Sequence, residues 1–314
     1  MAIFTVGFNP AIDRIMECPD FHIGGHQIAA QIARLASGKA ANVSRALALV
    51  GTDSIATGFI GTDELEFFHD QLMSVEPGRI LCRFVEVSGK TRENITVIDP
   101  KRHLETHLRD RGFIVTPAEA ALLHQRLSHD VHPGDIVAFS GSLCGGLEPA
   151  YLLDLIDRAN AIGARVALDS SGESLEAAAR KKLWLLKPNL EELRILLHRE
   201  VPDDAPAIRD AVRQSLPNID HVIVSRGAPG AVLVTPAGAW SARTTSTAPA
   251  VRTVACGDHL LAGFIAELSA GRDVEPALRT AIAVATARAH STDMSEFPPE
   301  AVRAALATVE LEHL

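Results

Sequence analysis

For most of its length the chain alternates short apolar runs with amphipathic stretches. Ile3-Phe4-Thr5-Val6-Gly7 is an apolar run closed by glycine, the pattern of a strand buried on both faces. Asn9-Pro10 breaks it, and Asp13 follows in a predicted turn. Residues 21–35 show no helical period, and Gly24-Gly25 with the mixed residues beyond it predicts exposed strands. The spacing of Val43, Leu47 and Val50 predicts a helix over 38–50, ended by Gly51. A strand over 54–59 and a helix over 64–73 follow. Residues 79–108 break the alternation. There, strand-like pieces separated by Ser88-Gly89-Lys90 and Asp99-Pro100-Lys101 predict a small antiparallel sheet. Paired with the strands of 11–35, it is expected to form a lid.

Beyond residue 136 the alternation is regular. Strands are predicted over 136–139, 165–168, 183–186, 221–224 and 231–235, with helices over 149–161, 174–181, 191–198 and 205–214. After Asp258 the pattern is mainly helical, through 274–290 and 299–307. Strands alternating with helices imply an α/β fold, a parallel sheet covered on both faces, with ligands at the carboxyl ends of its strands.

Composition narrows the classes. A chain of 314 residues can bury a large core in one domain or two. The net charge of −9 argues against nucleic acid or an acidic membrane as partner, while leaving room for a small anionic substrate held by local positive groups. Cys18, Cys82, Cys144 and Cys256 form no C-x-x-C pair, which fits a reducing compartment. No apolar run is long enough to span a bilayer, and the first residues lack the order of a signal peptide. A cytoplasmic protein is expected.

The most informative stretch is Thr253 to Phe264. Ala255, Cys256 and Gly257 carry small side chains, so backbone N–H groups can approach an anion, and Asp258 opens a helix that continues through Leu261, Phe264, Ile265 and Leu268. An acid in that turn can take a proton from a hydroxyl beside a phosphate, or can simply cap the helix. Other segments carry the same double meaning. Asp13 can accept from substrate hydroxyls or stabilise a turn. Ser37-Gly38-Lys39-Ala40-Ala41-Asn42 opens a helix and can cradle an anion, or Lys39 is a solvated helix-start residue. Arg92, in Lys90-Thr91-Arg92-Glu93-Asn94, offers a planar fork suited to phosphate. Ser140-Gly141-Ser142-Leu143 and Asp169-Ser170-Ser171-Gly172 follow strands, and either line a cleft or are ordinary loops. Lys187-Pro188-Asn189 with Glu192 has capping-box spacing. Its functional reading has Asn189 and Glu192 orienting water around Mg²⁺, with Lys187 facing a nucleotide phosphate. Ser225-Arg226-Gly227-Ala228-Pro229-Gly230 is either a nucleotide-facing loop or a hairpin turn. Neither a Walker lysine motif nor H-E-x-x-H occurs, which excludes a P-loop enzyme and a zinc hydrolase of that type. His259 reads as a surface or cleft residue rather than a metal ligand.

In order along nearly the whole chain, these segments resemble the PfkB (ribokinase-like) carbohydrate kinases, and most of all their phosphosugar branch. The residues that carry the likeness are Asn9-Pro10-Ala11-x-Asp13, Gly38-Lys39 with Asn42-Val43, Thr91-Arg92-x-Asn94, Ser140-Gly141-Ser142-Leu143, Asp169-Ser170-Ser171, Lys187-Pro188-Asn189-x-x-Glu192-Leu193, Ser225-x-Gly227-x-x-Gly230-Ala231 and Gly257-Asp258. The resemblance implies one ribokinase-like domain over 1–314, a three-layer α/β/α core with a mostly parallel sheet, and a β lid from about 11–35 and 79–108 that serves a homodimer. It implies ATP, Mg²⁺ and a ketohexose monophosphate: fructose 1-phosphate, tagatose 6-phosphate or fructose 6-phosphate. Asp258 would be the general base, and the backbone of Ala255, Cys256 and Gly257 the anion hole. Asp13, Gly38, Lys39, Asn42, Arg92, Asn94 and Ser140 would hold the sugar phosphate. Lys187, Asn189, Ser225, Gly227 and Gly230 would serve the nucleotide, with Glu192 (through water) and Asn189 on the metal. A phosphosugar-binding protein with little or no catalysis, and a kinase of free sugars or nucleosides, are the alternatives. The family's usual Gly-Ala-Gly-Asp is here Ala255-Cys256-Gly257-Asp258, its Gly-Gly-Lys-Gly is Ser37-Gly38-Lys39-Ala40, and the residue after the acid is His259. The Cβ of Ala255 would matter if that position requires a positive φ.

Overall fold

The computed structural model describes residues 1–251, 253–293 and 296–314. Its main body is a ten-stranded sheet whose strand order is β14-β13-β12-β11-β10-β9-β8-β1-β4-β5. The strands are β1 (Ile3–Gly7), β4 (Ser54–Gly61), β5 (Ile80–Val87), β8 (Ile136–Ser140), β9 (Arg165–Asp169), β10 (Leu183–Leu186), β11 (Ile219–Ser225), β12 (Ala231–Val234), β13 (Ala239–Thr244) and β14 (Val309–His313). From β5 to β11 all neighbours are parallel, and β11 to β14 pair antiparallel. Helices cover both faces: α1 (Lys39–Leu49), α2 (Leu65–Met73), α3 (Pro117–Asp130), α4 (Pro149–Ile162), α5 (Gly172–Ala178), α6 (Leu190–Leu197), α7 (Ala205–Ser215), α8 (Cys256–Ser269), α9 (Val274–His290) and α10 (Pro299–Leu306).

Alternation within β1 shows how the layers are built. Phe4 and Val6 join Leu123 of α3 with Leu155 and Ile156 of α4 in one core. Ile3 points the other way, into a second core with Val43 and Leu47 of α1 and Leu261 and Phe264 of α8. Both faces of the strand are dry, so it reads as a continuous apolar run. This arrangement sets α1 and α8 side by side on one face of the sheet.

A four-stranded sheet, β3-β2-β6-β7, stands apart from the main sheet. Its strands are β2 (Ala11–Glu17), β3 (Ala30–Ser37), β6 (Arg92–Asp99) and β7 (Leu104–Leu108), with β2 and β6 parallel and the outer pairs antiparallel. Two expectations need correction. The strand at 80–87, grouped by sequence with the lid, is instead the edge of the main sheet, parallel to β4. Asp13 lies within β2 and not in a turn. Local turn chemistry marked the ends of these segments correctly but carried no information about which sheet each strand joins. Three elements escaped the sequence reading: α3, β13 and β14. The start of α3 carries a readable signal, a capping box of Thr116 and Glu119 with proline in the first turn.

Gly263 shows why α8 can lie so close to α9. A Cβ there would come within 2.9 Å of the Ala281 Cα and 3.2 Å of the Thr280 carbonyl oxygen. Alanine is favoured over glycine in a helix by about 1 kcal/mol, whereas overpacking a tight core costs about 1–3 kcal/mol. Two of the three nearest atoms are backbone, which yields little, and the third is the Cγ2 of buried Val284 at 3.1 Å, so overpacking wins. Gly263→Ala is expected to lower stability by about 1–2 kcal/mol in urea denaturation; equal or greater stability would show that α8 and α9 can separate freely.

Candidate active site

Asp258 sits in the first turn of α8, with 6% of its surface exposed. Its Oδ2 accepts from Asn42 Nδ2 of α1 at 2.8 Å. Asn42 is itself oriented from below. Arg45 Nη1 donates to Asn42 Oδ1 at 3.1 Å, and Arg45 Nη2 donates to the Ala36 carbonyl at 2.7 Å. Because Oδ1 is taken by a donor, the amide must turn its own N–H toward Asp258. Arg45 is buried, and burial first, then the neighbouring Arg288, lowers its pKa to about 10, so it stays charged at neutral pH.

A second buried carboxylate, Asp169 at the end of β9, is wholly enclosed. Lys39 Nζ donates to its Oδ1 at 2.7 Å. Lys187 Nζ lies 3.1 Å from Oδ2, an electrostatic contact rather than a well-directed hydrogen bond. Burial pushes the Asp169 carboxyl up, but Lys187 and Lys39 outweigh it and the net shift is downward. Lys39 is shifted upward: burial opposes its charge, and Asp169 more than compensates. Among the described residues Asp258 has no such ion pair of its own. Burial first and the charge of Asp169 second push it up to about 7, against the pull of Asn42, Lys39 and Lys187. The two acids are therefore driven apart, the usual mark of a divided acid–base role.

Two cavities that share Ser37 flank this centre. One, of about 150 Å³, is lined by Asn9, Gly38, Lys39, Arg92, Ser140 and Gly141 among others. The second, of about 180 Å³, is lined by Asp13, Asn42, Arg45, Arg109, Ala255 and Arg288 among others. Asp258 itself lines neither, but its hydrogen-bond partner and its helix cap line the second. Gly38, with φ 108°, is the cap of α1, and a Cβ there would meet the Pro10 Cα at 3.1 Å. Arg92 is fixed to the first strand's exit, its Nε donating to the Pro10 carbonyl at 3.2 Å and its Nη2 to the Asn9 carbonyl at 2.9 Å. Burial, then Arg109, lowers its pKa. Asn94 Nδ2 donates to Asp13 Oδ1 at 2.9 Å, across β6 and β2. Among the described residues, Asn9 Oδ1 and Ser140 Oγ in the first cavity and Arg45 Nε in the second are buried without a protein partner, as is Oδ1 of Asn94, which lines neither cavity.

The residues assigned by sequence to the nucleotide lie along a second line. Lys187 is buried beside Gly257, whose Cβ position lies 3.3 Å from its Nζ. Asn189 caps α6 in a full capping box: its Oδ1 accepts from the Glu192 amide at 2.8 Å, and Glu192 Oε2 accepts from the Asn189 amide at 2.8 Å. Ser225 bridges to Asn189, its amide donating to the Pro188 carbonyl at 3.0 Å. Gly227 and Gly230 have φ of 69° and 90° in the turn that joins β11 to β12. Among the described residues no cluster of three or more His, Cys, Asp or Glu is assembled for a metal.

Two positions depart from expectation in an instructive way. Ala255 does adopt the left-handed conformation, φ 67° and ψ 0°, as the cap of α8. His259 is neither on the surface nor in the cleft: it is 1% exposed and packs against Phe297. Its position in the first turn of an apolar helix, one residue past Asp258, turns it toward the core. The sequence points to Asp169 only within the Asp169-Ser170-Ser171 motif, with no role of its own, and does not single out Arg45. An acid at the carboxyl end of a parallel strand was a usable signal for Asp169. Arg45 had none, since a helix arginine reads as solvent-exposed.

A buried acid at a helix start, beside a cleft at one end of a parallel α/β sheet, is an arrangement suited to phosphoryl transfer. The chain belongs to the pfkB family of carbohydrate kinases, whose family model matches residues 8–301. It is 33% identical over 310 residues to 1-phosphofructokinase of Escherichia coli strain K12, covering 99% of this chain and 98% of that one. It is 32% identical over 232 residues to tagatose-6-phosphate kinase of Staphylococcus epidermidis, covering 73% of each. Among solved structures, phosphofructokinase-2 of Escherichia coli in complex with potassium superposes with a TM-score of 0.89 at 25% identity, covering 98% of both chains.

The shift of Asp258 has a consequence for stability. Its folded form holds a proton that the unfolded chain releases above 3.8, so the stabilisation is complete below that value and lost as pH rises through about 7. Asp258→Asn removes this loss. At pH 8 the variant is expected to be more stable than the parent by about 1–3 kcal/mol, with a smaller gain at pH 5. Thermal unfolding at the two pH values measures it; a gain that does not grow with pH would contradict the raised pKa.

Proposed function

We propose that this carbohydrate kinase transfers the γ-phosphoryl group of ATP to a hydroxyl of a ketohexose monophosphate. The observation that carries the reading is the buried Asp258 carboxylate, held by Asn42 at 2.8 Å and poised near neutral pH. A general base works best with a pKa close to the working pH. In this reading the acceptor hydroxyl gives its proton to Asp258 as its oxygen bonds to the γ-phosphorus, and ADP leaves. The first amides of α8 receive the charge on the transferring group.

Arg92 supports a substrate that already carries phosphate. Its fork is anchored on two carbonyls and lines the same cavity as Lys39 and Ser140. Asn9 Oδ1 and Ser140 Oγ, on residues that line this cavity and without protein partners among the described residues, suit the hydroxyls of a sugar. Fructose 1-phosphate is the first candidate, ahead of tagatose 6-phosphate and fructose 6-phosphate. Mg²⁺ in phosphoryl transfer is held by one or two carboxylates together with substrate phosphates and water. Glu192 fits, since its second oxygen lies outside the capping bond, whereas Asp169 is wholly enclosed and already taken by Lys39 and Lys187. Asn189 is a poor direct ligand because its Oδ1 is already bonded to Glu192. When bound, the ion would neutralise charge on the phosphates.

The small sheet suits a homodimer interface. Ile23 and Ile28 between its strands, with Leu104 and Leu108 on β7, are large apolar side chains left exposed. The cysteines, with no disulfide among the described residues, fit a cytoplasmic setting, and no helix of the described residues is long and apolar enough to cross a membrane.

An ATP-consumption screen across the three sugar phosphates and the matching free sugars tests the reading. Turnover on a sugar phosphate is expected, with Asp258→Asn slower by about three orders of magnitude or more. Equal turnover by parent and variant would remove Asp258 from the base role. Arg92→Ala is expected to raise KM for the sugar phosphate about 10–100-fold while leaving KM for ATP unchanged. An unchanged sugar KM would point to a free-sugar acceptor.

A further inference from the structure

The Ala255 carbonyl, at the cap of α8, accepts twice from one residue. The His259 backbone amide donates to it at 3.0 Å, the ordinary first bond of the helix, and His259 Nδ1 lies 2.8 Å from the same oxygen. A carbonyl only accepts, so Nδ1 carries the ring proton. That leaves Nε2 an acceptor, buried beside Phe297 with no partner among the described residues. The ring is neutral: burial first, with Arg288 and Arg45 adding repulsion, lowers its pKa to about 3 despite the Ala255 bond. A leucine would fill this space without orphaning a nitrogen. What the imidazole adds is one donor, aimed at one oxygen.

That oxygen belongs to a strained residue. Ala255 holds φ 67° and ψ 0°, and the left-handed region costs a residue with a Cβ about 1–2 kcal/mol. The peptide unit is planar and trans, so fixing the Ala255 C=O along the helix fixes the Cys256 N–H in the opposite direction, out of the helix start. We propose that His259 is a positioning residue: its Nδ1–H bond to the Ala255 carbonyl holds the left-handed cap, and through the shared peptide plane aims the Cys256 amide at the transferring phosphoryl group. The proposal rests on the reading of α8 as the phosphoryl-facing helix.

Three substitutions separate the donor from the bulk. His259→Leu keeps the volume and loses the donor. His259→Gln places its amide nitrogen near the Nε2 position, and His259→Asn places it near Nδ1. His259→Leu and His259→Gln are expected to lower kcat about 10–100-fold, with KM for ATP and sugar phosphate within about twofold. His259→Asn is expected to stay within about threefold of the parent. Adding Ala255→Gly to His259→Leu should recover at least half of the loss on a logarithmic scale, since glycine adopts this conformation without strain. An unchanged kcat in His259→Leu, or equal kcat for the Asn and Leu variants, would overturn the proposal. Should the variants fail to fold, nitrogen NMR of the parent decides: a neutral ring protonated on Nδ1 at about pH 5 is expected, and a ring protonated on Nε2 would overturn it. Asp258→Asn is assayed alongside. If it alone is inactive while His259→Leu matches the parent, only this inference falls; if Asp258→Asn is fully active, the reading of the site falls first.

Discussion

Two carboxylates share one buried site, and both lysines belong to one of them. Asp169 takes Lys39 and Lys187 and is held as an anion, while Asp258 is left with the neutral amide of Asn42. A buried charge beside another like charge is costly, so the second acid is pushed toward neutrality. The remaining geometry follows from that division. The lysines must be buried to reach Asp169, Asn42 must be turned by Arg45, and α1 must lie against α8 for Asn42 to reach Asp258.

The parallel sheet makes this possible without long connections. Asp169 ends β9, Lys187 follows β10 and Ser140 ends β8, so consecutive strands deliver charged and polar groups to one edge. Helix starts face the same edge, where their amides favour anions. A site assembled this way draws on residues far apart in sequence; Asn42 and Asp258 are separated by 216 positions. The same packing confines the chemistry to a small volume, because the two faces of the sheet are filled with apolar side chains.

The site is also held at some expense of stability. A buried acid that resists ionisation, a left-handed alanine and an imidazole nitrogen without a partner among the described residues all oppose folding. They cluster within residues 255–259 at the start of α8, where structure and function compete. Elsewhere in that helix every position from Leu260 to Ala266 is buried, which anchors the strained turn from behind.

The sequence by itself determined the α/β class, most of the strands and helices of the main layers, and the segments that meet at the cleft. It could do so because buried parallel strands leave continuous apolar runs and because turn and cap residues act locally. It did not determine that β5 joins the main sheet, that Asp13 lies in a strand, or that His259 is buried, and it passed over α3, β13 and β14. Sheet membership and burial depend on partners distant in the chain. Only the tertiary structure decided which acid received the lysines, because a pKa is set by what lies within a few ångströms in space, and linear spacing carries no record of that distance.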